Sequence, residues 1–246
     1  MSDIIKQLKE RKSTRSFTSA QIPPDVLDEI LECAFAAPTA GCQQLYTILN
    51  ITDQQKKDAL AISCDNQPFI AKAPLVLIFL ADCRRWLDGY ELAGLKAPAP
   101  READLLLACA DAIIAAQNAA VAADSFGIGS CYIGDVWEQK ETVTELLGLD
   151  KYVFPAAMLV FGYPTAQQES RAKPKRFAKN FIVQENSYHR LSESEQRALF
   201  ASQGSNLDTD VAPFGKRKYM SDFACEMRRS VAEYLKEFGD ASISQN

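Results

Sequence analysis

Residues 103–126, ADLLLACADAIIAAQNAAVAADSF, run without a glycine or a proline. A stretch so rich in strong helix formers is one long helix. Its polar residues Asp104, Asp111, Asn118 and Ser125 recur every seven positions. At 100° per residue that spacing drifts by only about 20° per step, so the four make one narrow stripe. The rest of the surface is mostly apolar, and a helix of that kind is expected to be buried nearly all round. Its alanines let neighbouring backbones approach closely. It is either the central helix of a domain or a helix shared between subunits. No stretch reaches the roughly eighteen uninterrupted apolar residues of a membrane span, so no membrane partner is expected.

The remaining pattern surrounds this helix with strands. PLVLIFLAD at 74–82 and PAAMLVFGYP at 155–164 are continuous apolar runs of strand length, expected to be buried on both faces. LYTILNI at 45–51 and the segment 129–133 read as further strands. Pro24 suits the first position of a helix over 24–36, with Val26, Leu27, Ile30, Leu31, Ala34 and Phe35 on one face and Pro38 beyond its end. DQQKKDALAI reads as an exposed helix, 137–147 as another, and 165–188 as a long polar loop. A helix near 191–201 leads into SQGSNLDTD, the best linker candidate. The last helix, 218–237, presents Met220, Phe223, Ala224, Met227, Val231 and Leu235 on one face. The fold class is therefore α+β, with one domain over 1–203 and a C-terminal helical extension over 204–246.

Composition removes several functions. The formal net charge is −5 over 246 residues, which argues against a general nucleic-acid surface. Seven scattered cysteines include no CxxC pair, so a metal site or dithiol motif is not expected, and a reducing cytoplasm is. The single histidine, His189, reads as a surface or capping residue and offers no triad. The glycines of GIG at 127–129 follow a helix and lack the third glycine of a dinucleotide fingerprint, so they read as a helix stop. With so few acid–base and nucleophilic candidates, a bound cofactor could carry the reaction.

Against that background, ERKSTRSF at 10–17 concentrates three cations and two hydroxyls within six positions. Guanidinium forks, an ammonium and hydroxyls converging after a helix suit a phosphate ester, and an extended segment puts Arg11, Ser13 and Arg15 on one side. The same residues also read as a solvated helix end. APTAGCQQLY at 37–46 joins a helix to a strand with a glycine and two glutamines. It suits a loop against a polar heterocycle, or an ordinary connection.

Together these two segments resemble the nitroreductase family of FMN-dependent oxidoreductases, whose pattern has an Arg-basic-Ser-x-basic run and then Ala-Pro-Ser-Ala-Gly-Asn-x-Gln-Pro-Trp. NQPFIAKAPLVLIF, AAQNAAVAADSFGIGSCYIGD, LLGLDKYVFPAAMLVFGYP and KPKRFAKNFIVQENSY follow in the family's order, so the resemblance spans roughly residues 5–190. FACEMRRSV in the extension looks like the flavin-reductase-like branch. Cys42, Leu45, Tyr46 and Gln184 depart from the family's usual Asn, Pro, Trp and His.

The resemblance implies a nitroreductase-like fold, a central and mainly antiparallel sheet surrounded by helices. It implies FMN held by Arg11, Lys12, Ser13 and Arg15 at the phosphate and ribityl chain, with Arg176 and Lys173 or Lys175 closing on the same phosphate. Pro38, Thr39, Ala40, Gly41 and Gln43 would line one side of the cofactor from a neighbouring subunit. Gln67 would reach the ring edge or substrate, and Ile133, Gly134 and Asp135 would lie against the ring, with the backbone of Gly134 and Asp135 near N5. No side chain is catalytic in this reading, because the flavin itself passes the hydride. NADH or NADPH would reduce the flavin, and a small-molecule oxidant (a nitroaromatic, a quinone or a free flavin) would then reoxidise it in a two-step, ping-pong cycle within a homodimer. Reductive dehalogenation or flavin breakdown is the alternative within the fold, with LDGYELAGLKAPAPRE at 87–102 placed as a lid. A flavin-binding redox sensor without turnover is the alternative outside enzymes. Lys216, Arg217 and Lys218 read as a solvated face or as a contact for an NADPH 2′-phosphate, and Cys42 and Cys64 as packing residues near the pocket.

Overall fold

The computed structural model describes residues 3–239. In chain order the elements are α1 (Asp3–Glu10), α2 (Pro24–Phe35), β1 (Tyr46–Asn50), α3 (Gln54–Ser63), α4 (Pro68–Ala71), β2 (Leu75–Asp82), α5 (Arg84–Leu92), α6 (Glu102–Ser125), β3 (Gly129–Ile133), α7 (Lys140–Leu147), β4 (Val153–Gly162), α8 (Ala166–Ser170), α9 (Lys179–Ile182), α10 (Glu193–Gln203), α11 (Ala212–Tyr219) and α12 (Asp222–Gly239). Two compact units divide the chain, Met1–Arg171 with Met227–Asn246, and Ala172–Glu226. The second unit begins inside the domain expected over 1–203 and ends inside the extension expected over 204–246.

In the first unit, four antiparallel strands form a sheet in the order β1-β2-β4-β3. The central strands β2 and β4 are buried almost from end to end, which explains their uninterrupted apolar sequence. Alternation sorts their side chains into two layers. Leu75, Leu77, Phe79, Leu159 and Phe161 pack with α2 and α6, whereas Val76, Ile78, Leu80, Met158 and Val160 pack with α3, α4 and α7.

The alanines of α6 do what their size permits. Ala108, Ala112, Ala115, Ala116, Ala119, Ala120 and Ala123 are fully buried in the layer shared with α2 and the sheet. By length and composition α6 would pass for a membrane span, yet this face is packed inside the fold. The opposite face departs from the expectation of burial all round: Leu106 is 71% exposed and Ile113 43%, with Leu107 and Ile114 open beside them. The helix stops at Gly127, whose φ of +72° closes the turn while its N–H reaches Asp124 O.

Other expectations need correcting too. The helix α3, read as exposed, buries Lys57, Leu60, Ala61 and Ser63, and the Lys57 ammonium donates to Ala73 O (3.1 Å) and Pro74 O (3.3 Å). Burial lowers that lysine's pKa. Phe35 closes the apolar stripe of α2 but stays exposed, while Ile30 and Ala34 carry the burial. The loop expected over 165–188 contains α8 and α9, and the linker candidate holds a π-helical turn, Leu207–Val211, capped by the Asn206 side chain. In α12 the buried residues toward the first core are Ser230, Tyr234 and Phe238, while Leu235 is exposed and Met220 precedes the helix.

An exposed clasp ties α12 to α7. Arg229 donates to both carboxylate oxygens of Glu141, at 3.0 and 2.8 Å. That fork pulls the Glu141 pKa from 4.5 down to about 2. A depressed carboxylate adds stability above its unfolded pKa and loses it as pH falls through the folded one. The contribution is thus expected to be full above about pH 5 and lost between 4.5 and 2, and solvent screening holds it below about 1 kcal/mol. Denaturation series on Glu141→Gln should show a shallower acid limb than the parent, and parallel limbs would count against the clasp.

The second unit closes on itself. Phe177 meets Phe200 edge to face, with centroids 5.5 Å apart, and Ala178 N–H donates to Ser202 Oγ at 3.0 Å. Ser192 and Glu195 form a reciprocal cap on α10.

Candidate functional site

Residues 11–18 form a strap across the outer edge of β3. Ser13 bridges Ser130 in parallel, Thr14 N–H donates to Ser130 O (3.0 Å), and Thr18 N–H donates to Tyr163 O (2.9 Å). Gln168 pins the same strap: it is buried, its amide donates to Ser13 O (3.1 Å) and its Oε1 accepts from Arg15 N–H (3.3 Å). With the backbone fixed this way, Thr14 points inward while Ser13 and Arg15 face solvent.

The other two cations of the strap turn elsewhere. Lys12 donates to Glu169 O (2.5 Å) and Arg171 O (2.6 Å) around the end of α8. Arg11 reaches Ser130 Oγ at 3.2 Å, and its buried Nε has no hydrogen-bond partner among the described residues. Both line a cleft of about 510 Å³ with Lys6, Glu10, Asp124 and Glu169. Its three cations face three carboxylates, so it offers little net attraction to a dianion. Burial raises the Asp124 pKa against the pull of Arg11. Ser13 and Arg15 lie outside that lining and face solvent.

Cys131 lies under that pair. Its thiol pKa is raised by burial and partly offset by the charge of Arg15. Along β3 from there come Ile133, which is buried, and then Gly134 and Asp135 in a tight turn. A side-chain carbon added at Gly134 would meet nothing, so the approach to this backbone is open. Gln67, at the start of α4, donates to Asp135 Oδ2 (2.7 Å) and to Cys64 O (2.9 Å). Cys64 itself is inert packing: burial, reinforced by Asp135, pushes its thiol up to about 12. Ser130 and Gly134 stand four residues apart, so the cationic end and the amide end of the strand are separated by about 14 Å.

The loop over 38–45 is built differently. Gly41, Cys42 and Gln44 all take left-handed backbone, at φ of 56°, 55° and 48°. Asp111 of α6 accepts from the Thr39 hydroxyl and from the N–H groups of Ala40 (3.1 Å) and Leu45 (3.3 Å). From α5, Trp86 Nε1 donates to Gln43 O (2.8 Å) and Arg85 to Gln44 O (3.2 Å). Pro38 and Cys42 are exposed, and Thr39, Ala40 and Gln43 half-buried. The structure therefore brings Ser13 to Arg15, and Gln67 to Asp135, whereas these loop bonds run to α5 and α6. In the second unit, Lys173, Lys175 and Arg176 are exposed. Lys216, Arg217 and Lys218 form the last turn of α11, with Arg217 over the Phe214 ring. His189 is exposed beside Glu195, in agreement with a surface role.

Sequence reasoning missed two residues here. Gln168 had no signal, since its partners lie 153 and 155 positions away. Asp111 had one, its place in the seven-residue stripe.

A double-covered antiparallel sheet edged by a basic strap is the architecture of a flavoenzyme class, and the chain belongs to it: residues 8–163 match the nitroreductase family. Over an alignment of 249 residues the chain is 32% identical to an oxygen-insensitive NADPH nitroreductase of Salmonella typhimurium, covering 98% of this chain and 100% of that one. It is 34% identical over 177 residues to an FMN reductase [NAD(P)H] of Bacillus subtilis, covering 71% and 70%. The NfrA1 nitroreductase of B. subtilis superposes with a TM-score of 0.83 at 27% identity, covering 96% and 98%.

Proposed function

We propose that this chain is an FMN-dependent NAD(P)H oxidoreductase acting on small oxidants such as nitroaromatics, quinones or free flavins. The observation that carries the reading is the arrangement along β3, an exposed Ser13–Arg15 pair at one end and the Gln67–Asp135 amide–carboxylate pair beside a bare Gly134 at the other. An extended phosphate tail and a flat polar ring need those two ends at that separation. FMN, when bound, accepts a hydride from the nicotinamide and passes it to the oxidant.

The chain's own residues supply placement. Arg15 offers a guanidinium fork and Ser13 a hydroxyl to the phosphate. Gln67, its amide oriented by Asp135 and Cys64 O, presents its remaining oxygen toward the ring edge. Gly134 leaves its backbone accessible to the ring. The absence of a histidine relay is no handicap, because solvent can deliver the protons. All seven cysteines are free thiols.

The test is spectroscopic. Apoprotein given FMN should retain it through gel filtration, and anaerobic NADH or NADPH should bleach the flavin band, with colour returning on addition of a nitroaromatic or quinone. Failure to take up FMN, or a bound flavin that neither nucleotide reduces, overturns the reading.

The homodimer belongs to the same proposal. The open apolar side of α6 (Leu106, Leu107, Ile113 and Ile114) and the exposed Ile4, Ile5 and Leu8 of α1 leave apolar surface in water that an interface would cover. A second copy would cover the first of these strips and carry the 38–43 loop to its neighbour's cofactor. Sedimentation at micromolar concentration should show a dimer, and Ile113→Asp should convert it to monomer with loss of bound FMN. A monomeric parent protein would sink this part.

A further inference from the structure

We propose that Asp111 is the positioning residue of the cofactor-lining loop, and that the conformation of residues 39–45, and through it FMN affinity, depends on its carboxylate accepting from three donors at once. The inference rests on the reading that residues 38–43 line the cofactor.

Asp111 sits in the middle of α6 and is only 3% exposed. Among the described residues, its carboxylate bonds only to the loop: the Thr39 hydroxyl and Leu45 N–H (3.3 Å) on Oδ2, and Ala40 N–H (3.1 Å) on Oδ1. The Thr39 hydroxyl in turn accepts from Gln44 N–H at 2.8 Å. One side chain thus ties both ends of the loop, Thr39–Ala40 and Leu45, and reaches Gln44 through a hydroxyl. The left-handed residues Gly41, Cys42 and Gln44 all lie between those ties. Left-handed backbone at non-glycine residues persists only where the surroundings over-determine it. Asp111 holds the N–H groups while Arg85 and Trp86 hold the carbonyls of Gln44 and Gln43. Of the side chains from neighbouring helices, α6 supplies the acceptor and α5 the donors, while Cys42 N–H and Gln43 N–H close within the loop on Thr39 O and Ala40 O.

The chemistry makes the residue type specific. Two carboxylate oxygens take three donors with capacity to spare, whereas an asparagine of the same shape must aim its NH₂ at one of the loop's donors. Asp111→Asn therefore leaves no cavity and removes only the acceptor pattern. Asn118 gives the control. It lies seven residues along the same stripe and donates to Cys33 O at 3.0 Å, away from the loop, so Asn118→Ala removes a structural hydrogen bond from the same helix.

FMN affinity and thermal melting of the apoproteins separate the roles. Both variants should lower melting, but only Asp111→Asn should raise the FMN Kd, by about tenfold or more for a buried group left unsatisfied, with partial recovery in Asp111→Glu. Equal loss of affinity in both variants would mean a general stability effect and overturn the proposal. Gln43→Ala tests the underlying reading. If it weakens FMN while folded Asp111→Asn does not, the loop reading stands and the proposal falls; if neither weakens FMN, both fall. Should Asp111→Asn not fold, Thr39→Val keeps the carboxylate, cuts the hydroxyl tie and is expected to weaken FMN about threefold. An unchanged affinity there overturns the proposal.

Discussion

Arg15→Ala is expected to weaken FMN binding about thirtyfold while the apoprotein melts where the parent does. The side chain is exposed and the strap's backbone is held by others, by Ser130 on one side and Gln168 on the other. Removing the guanidinium therefore takes away charge and fork geometry and leaves the fold its fixings. Removing a hydrogen-bonding partner of a charged group costs about 2 kcal/mol, and each 1.4 kcal/mol is tenfold. Arg15→Lys should recover part of the loss, because a point charge remains without the fork. The affinity of the parent should fall with added salt more steeply than that of Arg15→Ala. Fluorescence titration of apoprotein with FMN measures all three. A folded Arg15→Ala variant with the parent's affinity would remove the phosphate from this end of β3. Lys12→Ala sharpens the assignment: its ammonium already serves Glu169 O and Arg171 O, so its loss should appear in stability before it appears in affinity.

How much of this was legible in the sequence follows from the range of the interactions involved. Periodicity is local, so the buried strands 75–82 and 153–162 and the long α6 could be read directly from apolar runs and uninterrupted helix formers. The seven-residue stripe was equally visible, but its meaning was not. Asp104 accepts from Arg101 N–H in a local cap of the helix, whereas Asp111 accepts from the 39–45 loop and Asn118 donates to Cys33 O near the end of α2, tertiary partners that spacing does not name. The C-terminal helix shows the same limit. A stripe drawn from Met220 through Leu235 satisfies the helical period and its Ala224 is buried, yet further along the chain buries Ser230, Tyr234 and Phe238, where Phe154 and Tyr152 offer aromatic edges. At the site, residue types suited an anion and a polar ring but equally a solvated helix end and an ordinary connection. Which cations face outward depended on Gln168, more than 150 positions away, and on a pair of glycines whose importance is steric.

Those glycines give the second large effect. Gly129 and Gly162 face each other in the β3–β4 register, and the strap lies on the space they leave. A side-chain carbon at Gly129 would stand 2.3 Å from Thr14 Oγ1, 2.7 Å from its Cβ and 2.9 Å from its Cγ2. Rotation of the buried Thr14 side chain moves Oγ1 and Cγ2 but not Cβ, and its N–H is bonded to Ser130 O, so clearing the clash means shifting the strap itself. Gly129→Ala is therefore expected to destabilise the fold by about 3 kcal/mol, the upper end of overpacking costs, and to weaken FMN binding as well, since Ser13 and Arg15 ride on the displaced segment. The remedy is specific. Thr14→Ala should not rescue it, because the threonine Cβ is itself too close, whereas Thr14→Gly should restore most of the affinity by clearing every clashing atom. Chemical denaturation and FMN titration on the three single and two double variants separate packing from binding. A neutral Gly129→Ala variant would show that the strap does not rest on the β3–β4 rung, and the outward aim of Arg15 would then need another cause.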